Sequence, residues 1–563
     1  MHFRVWAPAH RRVAVVIDGR DFPLDREDRG YFSGLVPEAH AGTLYKFRLG
    51  DEAYPDPASR FQPEGVHGPS EVIDPAFAWG PRRSVSMQDA VFYEMHVGTF
   101  TPEGTYAAAI EHLDALADLG ITVLELMPVN EFPGRFGWGY DGVDLWAPTR
   151  LYGRPEELRR FVDEAHARGL AVILDVVYNH LGPDGCYLKE FTPHYFTDRY
   201  ENDWGDAINF DGEDAHGVRE LVAENAAYWL DEFHFDGLRV DATQSIFDAS
   251  EEHILRVIRD RAPGLLVAEN EPQDTRLIRE FGFDAMWNDD WHHAAMVAAT
   301  GRAEAYYSDY RGRAQEFVSM ARLGFLYQGQ RYRWQKKRRG SASYDLPPRH
   351  FISYLQNHDQ VANSATGARI HQLTSPGRLR ALTALLLLQP QTPMLFQGQE
   401  FGARSPFVFF ADHVPAIAKE VRKGRREFLA QFPSIEGLDL DAPDDEETFL
   451  RCKLDHAQRD EAIVALHREL LALRRGMPFD ARLEGAPLSD ECLALRWLGD
   501  DPRLLIVNLG RDLHLDPAPE PLLAPPPRSS RWAIAWYSEP MPEPDSEENW
   551  TIAGESAVLL KPR

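Results

Sequence analysis

DVVYNH (Asp175–His180), GLRVDAT (Gly237–Thr243), LLVAEN (Leu265–Asn270) and FISYLQNHD (Phe351–Asp359) give away the architecture of this chain. Each is an apolar, β-branched run ending in a carboxylate or in a histidine beside one. Buried parallel strands read this way when their C-terminal ends open into a site. Asp241 and Glu269 lie 28 positions apart, about the length of one βα unit. Glu269 and Asp359 lie 90 apart, room for two units with a long loop. Four strands delivering acids to one rim predict an α/β fold, a (β/α)8 TIM barrel with its site at the C-terminal face.

Around these segments, eight strand candidates alternate with helical stretches: Val91–Val97, Val123–Pro128, Val172–Tyr178, Leu238–Asp241, Leu265–Glu269, Phe283–Trp287, Phe351–Gln356 and Met394–Gln397. Helices are expected at Ala107–Leu119, Pro155–Arg168, Val218–Phe233 and Glu252–Arg261. Two long insertions, 181–217 and a largely helical 291–349, follow the third and sixth strands, where barrel enzymes set substrate choice. Short alternating runs such as Arg12–Ile17 and Leu44–Leu49 precede the barrel and predict a small N-terminal β-sandwich, with a joint at Gly80–Arg83. After a last helix (Ala462–Arg475) the chain returns to strands, including Leu493–Trp497 and Leu504–Asn508. Pro517–Pro527 and the acidic stretch Glu543–Glu548 read as loops of this C-terminal β domain.

The chain has 563 residues, 44% of them hydrophobic, and a formal net charge of −28. That charge disfavours nucleic-acid and anionic-membrane partners, which call for basic surfaces. The one basic run, Lys336-Lys337-Arg338-Arg339, reads as a solvated loop. Cys186, Cys452 and Cys492 have no metal-ligand or disulfide spacing and read as reduced thiols of a cytoplasmic protein. MHFRVWAPAH enters a strand pattern without a basic n-region and apolar h-region, so no signal peptide is expected, and the apolar run Leu382–Leu388 is too short to span a bilayer.

Two carboxylates flanking a glycosidic bond can cleave it, one attacking the anomeric carbon and the other, protonated, donating to the leaving oxygen. Arg239, two residues before Asp241 on the same strand face, would keep Asp241 ionised for attack. Glu269 ends an apolar run, a dry setting that suits a general acid. Asp359 would bind sugar hydroxyls, His180 and His358 would supply neutral donors, and Tyr140 in GWGYDG a ring for a pyranose face. Taken singly, each is an ordinary strand-end or core residue, and Trp287, Trp291 and Trp334 read equally as packing. The ordered set of four strand ends, with Arg239 paired to Asp241, carries the catalytic reading. It requires no cofactor and no metal.

The four segments resemble the four sequence regions of the α-amylase superfamily of retaining glycosidases and transglycosidases. The resemblance implies Asp241 as nucleophile, Glu269 as acid/base and Asp359 as transition-state stabiliser. It further implies that Tyr140, His180, Arg239 and His358 hold the sugar in subsite −1, with Asp175 orienting Arg239 from behind. It covers nearly the whole chain: a carbohydrate-binding-module-like sandwich (1–82), a catalytic barrel (83–478) and a C-terminal β-sandwich domain (479–563). FYEMHVGTFTPEGTY (Phe92–Tyr106), GWGYDG (Gly137–Gly142), WNDDWHHA (Trp287–Ala294), PMLFQGQE (Pro393–Glu400), FFADH (Phe409–His413) and TFLRCKLD (Thr448–Asp455) stand in an order similar to that of the maltooligosyltrehalose trehalohydrolases. These release trehalose from the end of a maltooligosaccharide, so the implied ligands are maltooligosyltrehalose and related α-glucan oligosaccharides.

In this reading Asp289, Asp290, His292 and His293 meet the trehalose hydroxyls, the alternative for the histidines being a helix cap. After the nucleophile the chain continues Ala242-Thr243-Gln244-Ser245, without the Lys-His pair that amylases place there, which suits a differently shaped leaving group. The alternative enzyme is a glycogen-branching transglycosylase. The alternative outside enzymes is a non-catalytic carbohydrate-binding protein, against which the three intact acids argue.

Overall fold

The computed structural model describes residues 1–82, 85–526, 531–540 and 549–563. Arg83, Pro527 and Glu543–Glu548 lie outside those residues, so the expectations placed on them have no structural counterpart.

Eight parallel strands close a barrel: β1 (Phe92–Met95), β2 (Val123–Leu126), β3 (Ala171–Val176), β4 (Gly237–Val240), β5 (Leu265–Ala268), β6 (Ala285–Trp287), β7 (Phe351–Tyr354) and β8 (Thr392–Phe396), with β8 returning to β1. All eight coincide with the runs read from sequence, because strands covered on both faces must be apolar along their length. Residues in β1, β2, β3, β4, β6, β7 and β8 are all buried. Gly237 opens β4 where a Cβ would meet the Leu265 carbonyl oxygen at 2.1 Å, so any side chain would push β4 away from β5.

The helices are amphipathic where they cover the barrel. Pro155–Ala167 begins with proline in its first turn and turns Leu158, Phe161 and Val162 inward. Pro376–Leu388 is buried almost all round, from Ala381 to Leu388. That explains its continuous apolar run: it lies between the barrel and the C-terminal sheet strand Ser556–Pro562. No helix among the described residues is long and apolar enough to cross a membrane.

At the N-terminus, a three-stranded sheet holding His2–Trp6 and a five-stranded sheet holding Val13–Ile17 and Leu44–Leu49 share a core, with Phe3 4.8 Å from Tyr45, ring to ring. Trp6 anchors this domain: its ring lies 5.1 Å from Tyr195 in the 181–217 insertion, over Gly217, where a Cβ would sit 2.3 Å from the indole. At the C-terminus a five-stranded antiparallel sheet runs through Cys492–Trp497 and Arg503–Asn508.

Several elements lie outside the sequence reading, two of them near the site. Asp144–Pro148 pairs antiparallel with Asn130–Glu131 within a Gly-rich excursion after β2. Pro415–Leu429 is a largely polar, mostly exposed helix whose Arg425 turns inward and donates to Asn363 Oδ1 at 3.0 Å.

Candidate active site

The parallel register of β3 and β4 sets Asp175 directly beside Arg239. Arg239 Nη1 donates to both Asp175 oxygens, at 2.8 and 2.7 Å, and to Asp241 Oδ1 at 2.8 Å. Its Nη2 lies 2.8 Å from Glu269 Oε2, at the end of the neighbouring β5. One fully buried guanidinium thus spans three carboxylates, with the Trp287 ring 4.2 Å away. Burial of that cation is tolerable because the carboxylates surround it. Tyr140 joins the cluster by donating to Asp175 Oδ2 at 2.6 Å. It is aimed there by Gly139, whose φ of 98° and lack of a side chain fit the chain under the Pro128 carbonyl.

Asp241 and Glu269 share a rim but not an environment. Asn179 Nδ2 donates to Asp241 Oδ2 at 2.8 Å. Burial raises the Asp241 pKa above the usual carboxylate range, and Arg239 pulls it back. For Glu269 burial is again the largest cause, Arg239 opposes it, and the charges of Asp241 and Asp359 add to it, taking the pKa up to about 7. Of the two, Glu269 is the acid whose environment holds a proton up to near neutrality. Ala242, between the two, takes a left-handed backbone (φ 38°) unusual for alanine, and its N–H donates to Glu269 Oε2 at 3.1 Å.

His358 overturns the expectation of a neutral donor. Its Nδ1 is 2.5 Å from Glu94 Oε1 and its Nε2 is 3.5 Å from Asp359 Oδ2. Burial works against the charge, yet Asp359 and Glu94 outweigh it and raise the pKa to about 9. The imidazole is cationic at neutral pH, and Tyr140 stacks on it at 5.2 Å. His180 is held neutral by burial, with its Nδ1 against Asn179 Oδ1 and its ring stacked over the half-exposed Trp204 at 6.0 Å. Asp359 reaches the rim from the first turn of the short helix His358–Ala362, its side chain 42% exposed.

The WNDDWHHA segment behaves differently from expectation. It forms the first turns of α1 (Asp289–Thr300), capped by Asn288. Asp290 is fully buried, and its oxygens accept from the Tyr310 hydroxyl at 2.5 Å, the Leu326 and Tyr327 amides at 2.9 and 2.8 Å, and Arg339 Nε at 3.2 Å. His292 is equally buried between the Leu355 carbonyl and the Tyr307 hydroxyl. His293 packs among Tyr306, Tyr307 and Tyr310. The expectation that Asp290, His292 and His293 meet a ligand is therefore corrected: helical periodicity turns them into the protein. Only Asp289 keeps an edge toward the rim, its side chain 15% exposed and hydrogen-bonded by the Tyr354 hydroxyl. Burial raises its pKa to about 7 against the pull of Arg339.

Arg339 corrects the solvated-loop reading as well. Lys336, Lys337 and Arg338 are exposed, but Arg339 is buried against Glu271 and Asp290. Sequence reasoning also missed Glu94, Glu125 and Asn179. Asn179 stands inside DVVYNH, so its place beside His180 was a usable signal. Glu94 and Glu125 are register partners on β1 and β2 and point into the barrel beneath the site, an apolar-strand setting that gave no cue to their role.

Among the described residues no group of three His, Cys, Asp or Glu is placed to hold a metal ion. The three cysteines are unpaired, Cys452 and Cys492 buried and Cys186 partly so.

The chain is similar to known proteins over most of its length. The alpha amylase catalytic-domain model matches residues 84–212, and a domain of unknown function matches 480–559. A malto-oligosyltrehalose trehalohydrolase of Saccharolobus solfataricus is 40% identical, with 84% of this chain and 85% of that protein covered. One from Deinococcus radiodurans is 40% identical, covering 91% and 88%. Among solved structures, a candidate alpha amylase from Salmonella typhimurium superposes with a TM-score of 0.90 at 35% identity, covering 100% of this chain and 97% of that one.

Proposed function

Since this chain belongs to the malto-oligosyltrehalose trehalohydrolase family, we propose that it hydrolyses the α-1,4-glucosidic bond next to the terminal trehalose of a maltooligosyltrehalose, releasing trehalose and a maltooligosaccharide. The observation that carries the chemistry is the single guanidinium of Arg239 bridging Asp241 and Glu269 at adjacent strand ends.

The steps follow from which acid holds the proton. Asp241, ionised, attacks the anomeric carbon of the glucose in subsite −1. Glu269, protonated, donates to the bridging oxygen as that bond breaks, and trehalose departs neutral. The glycosyl ester on Asp241 is then opened by water that Glu269, now ionised, deprotonates, so both acids return to their starting states. Asp359 would stabilise the oxocarbenium-like transition state, the cationic His358 would donate to the sugar hydroxyls, Tyr140 would lie against the ring, and His180 would donate as a neutral imidazole. Asp175 fixes Arg239 from behind. On the leaving side, Asp289 is the member of its segment with an edge free for trehalose.

Chromatography of products from maltotriosyltrehalose and from amylose tests the reading: trehalose and maltotriose are expected. Intact maltotriosyltrehalose together with α-1,6 branches in amylose would identify a branching transglycosylase instead.

A further inference from the structure

We propose that Arg339 is a positioning residue for the leaving-group half of the site, joining the segment after Glu269 to the start of α1 so that Asp289 is presented to trehalose. The proposal rests on the functional reading above. Its basis is a bridge that no sequence motif announces. Arg339 comes from a hairpin, Arg331–Tyr332 paired with Lys337–Arg338, and its side chain is 1% exposed.

Its contacts tie the hairpin to two other pieces of chain. Nη1 donates to Glu271 Oε1, two residues beyond Glu269. Nε donates to Asp290 Oδ1 at 3.2 Å, and Nη2 lies 3.7 Å from Asp289 Oδ2. The backbone reinforces the junction: Gly340 N–H donates to the Pro272 carbonyl at 2.8 Å, and Gly329 N–H to the Arg339 carbonyl at 2.8 Å. The Gln335 side chain donates to Glu271 as well.

The arrangement has a physical logic. A buried cation is costly unless carboxylates surround it, so Arg339 draws Glu271, Asp289 and Asp290 to one place. The planar guanidinium presents Nε, Nη1 and Nη2 in separate directions and so reaches Asp290, Glu271 and Asp289 at once, a spread that a compact ammonium does not have. Asp290 is saturated by its partners, whereas Asp289 is not. At 3.7 Å the Asp289–Nη2 pair is an ion pair beyond hydrogen-bond length, and Nη2 has no hydrogen-bond acceptor among the described residues. Asp289 Oδ2 is thereby held in place without being used up, available to a sugar hydroxyl. Glu269 must face the leaving oxygen, and the residues that follow it, bonded to Thr243 and Gln244 just after Asp241, border the leaving group. Arg339 sits behind that border and acts through Asp289 and Glu271.

Product inhibition separates the two halves, because trehalose occupies the leaving side and maltotetraose the glycone side. In Arg339→Lys the Ki of trehalose is expected to rise about 10-fold while that of maltotetraose stays within about 2-fold, the pattern of a misplaced polar contact. Glu271→Gln, at a partly exposed position, breaks only one arm and should raise the trehalose Ki by about 3-fold, which keeps the test available if the lysine variant does not fold. A merely structural role lowers the active fraction and moves neither Ki. Unchanged trehalose Ki in Glu271→Gln and in any folded Arg339→Lys, or parallel rises for both inhibitors, overturns the proposal alone. A wild type that releases no trehalose from maltotriosyltrehalose overturns the functional reading and this proposal with it.

Discussion

The two halves of the candidate site are built by different means. On the glycone side, Asp175, Arg239 and Asp241 come from the adjacent strands β3 and β4, and their contacts follow from parallel register and two-residue periodicity. On the leaving side, Glu271, Asp289 and Arg339 come from a post-strand loop, a helix start and a hairpin, and they meet through one buried guanidinium. The first half is fixed by the backbone pairing of neighbouring barrel strands. The second is held by a few polar contacts among loops. Catalytic groups on the scaffold and specificity groups on inserted loops let one barrel keep its chemistry while its substrate changes.

The largest effects should fall on the strand-borne acids. Asp241→Ala and Glu269→Gln are expected to lower kcat on the order of 10⁴-fold with little change in substrate binding. Azide should restore turnover to Asp241→Ala by taking the nucleophile's place. Near-normal turnover in either variant, measured on maltotriosyltrehalose, would undo the assignment of the glycone half. Asp175→Asn comes next: it loosens Arg239 between its carboxylates, and a misplacement of that kind costs roughly 10²-fold in kcat. A loss confined to KM would show that Arg239 needs no support from behind.

The pH dependence probes the glycone half from another direction. Glu269 must be protonated to donate, and its pKa lies near 7, so kcat/KM should fall as pH rises through about 7. Its folded pKa exceeds that of the unfolded chain. Its stabilising contribution is therefore fully present below the unfolded value near 4.5 and is lost as pH rises through about 7. Glu269→Gln has no proton to lose, so its Tm advantage over wild type should be larger at pH 8 than at pH 5. Equal Tm differences at the two pH values would place the Glu269 pKa elsewhere. The smallest kinetic effect is expected from Asp290→Asn, which removes a buried charge from Arg339 and should cost stability, about 2–4 kcal/mol, rather than selectivity. A selective loss on trehalose-terminated substrate with unchanged Tm would return Asp290 to the ligand and reverse the correction made for it.

The barrel and the order of its acids were legible in the amino-acid string alone. Strands buried on both faces leave an uninterrupted apolar signature, and acids at their ends are conspicuous against it. Equally legible was the shared face of Arg239 and Asp241, since alternation along a strand is imposed by the backbone. Direction and long-range partnership left no such mark. Asp289 and Asp290 are neighbours in the chain, yet a helix sends one toward the rim and the other into the interior. In the basic run Lys336-Lys337-Arg338-Arg339, the last of the four cations is buried because three carboxylates from elsewhere enclose it. His358 carries charge through its chain neighbour Asp359 together with Glu94, 264 positions away. Protonation and burial depend on the sum of neighbours in space, and which neighbours those are is settled by how the folded elements pack.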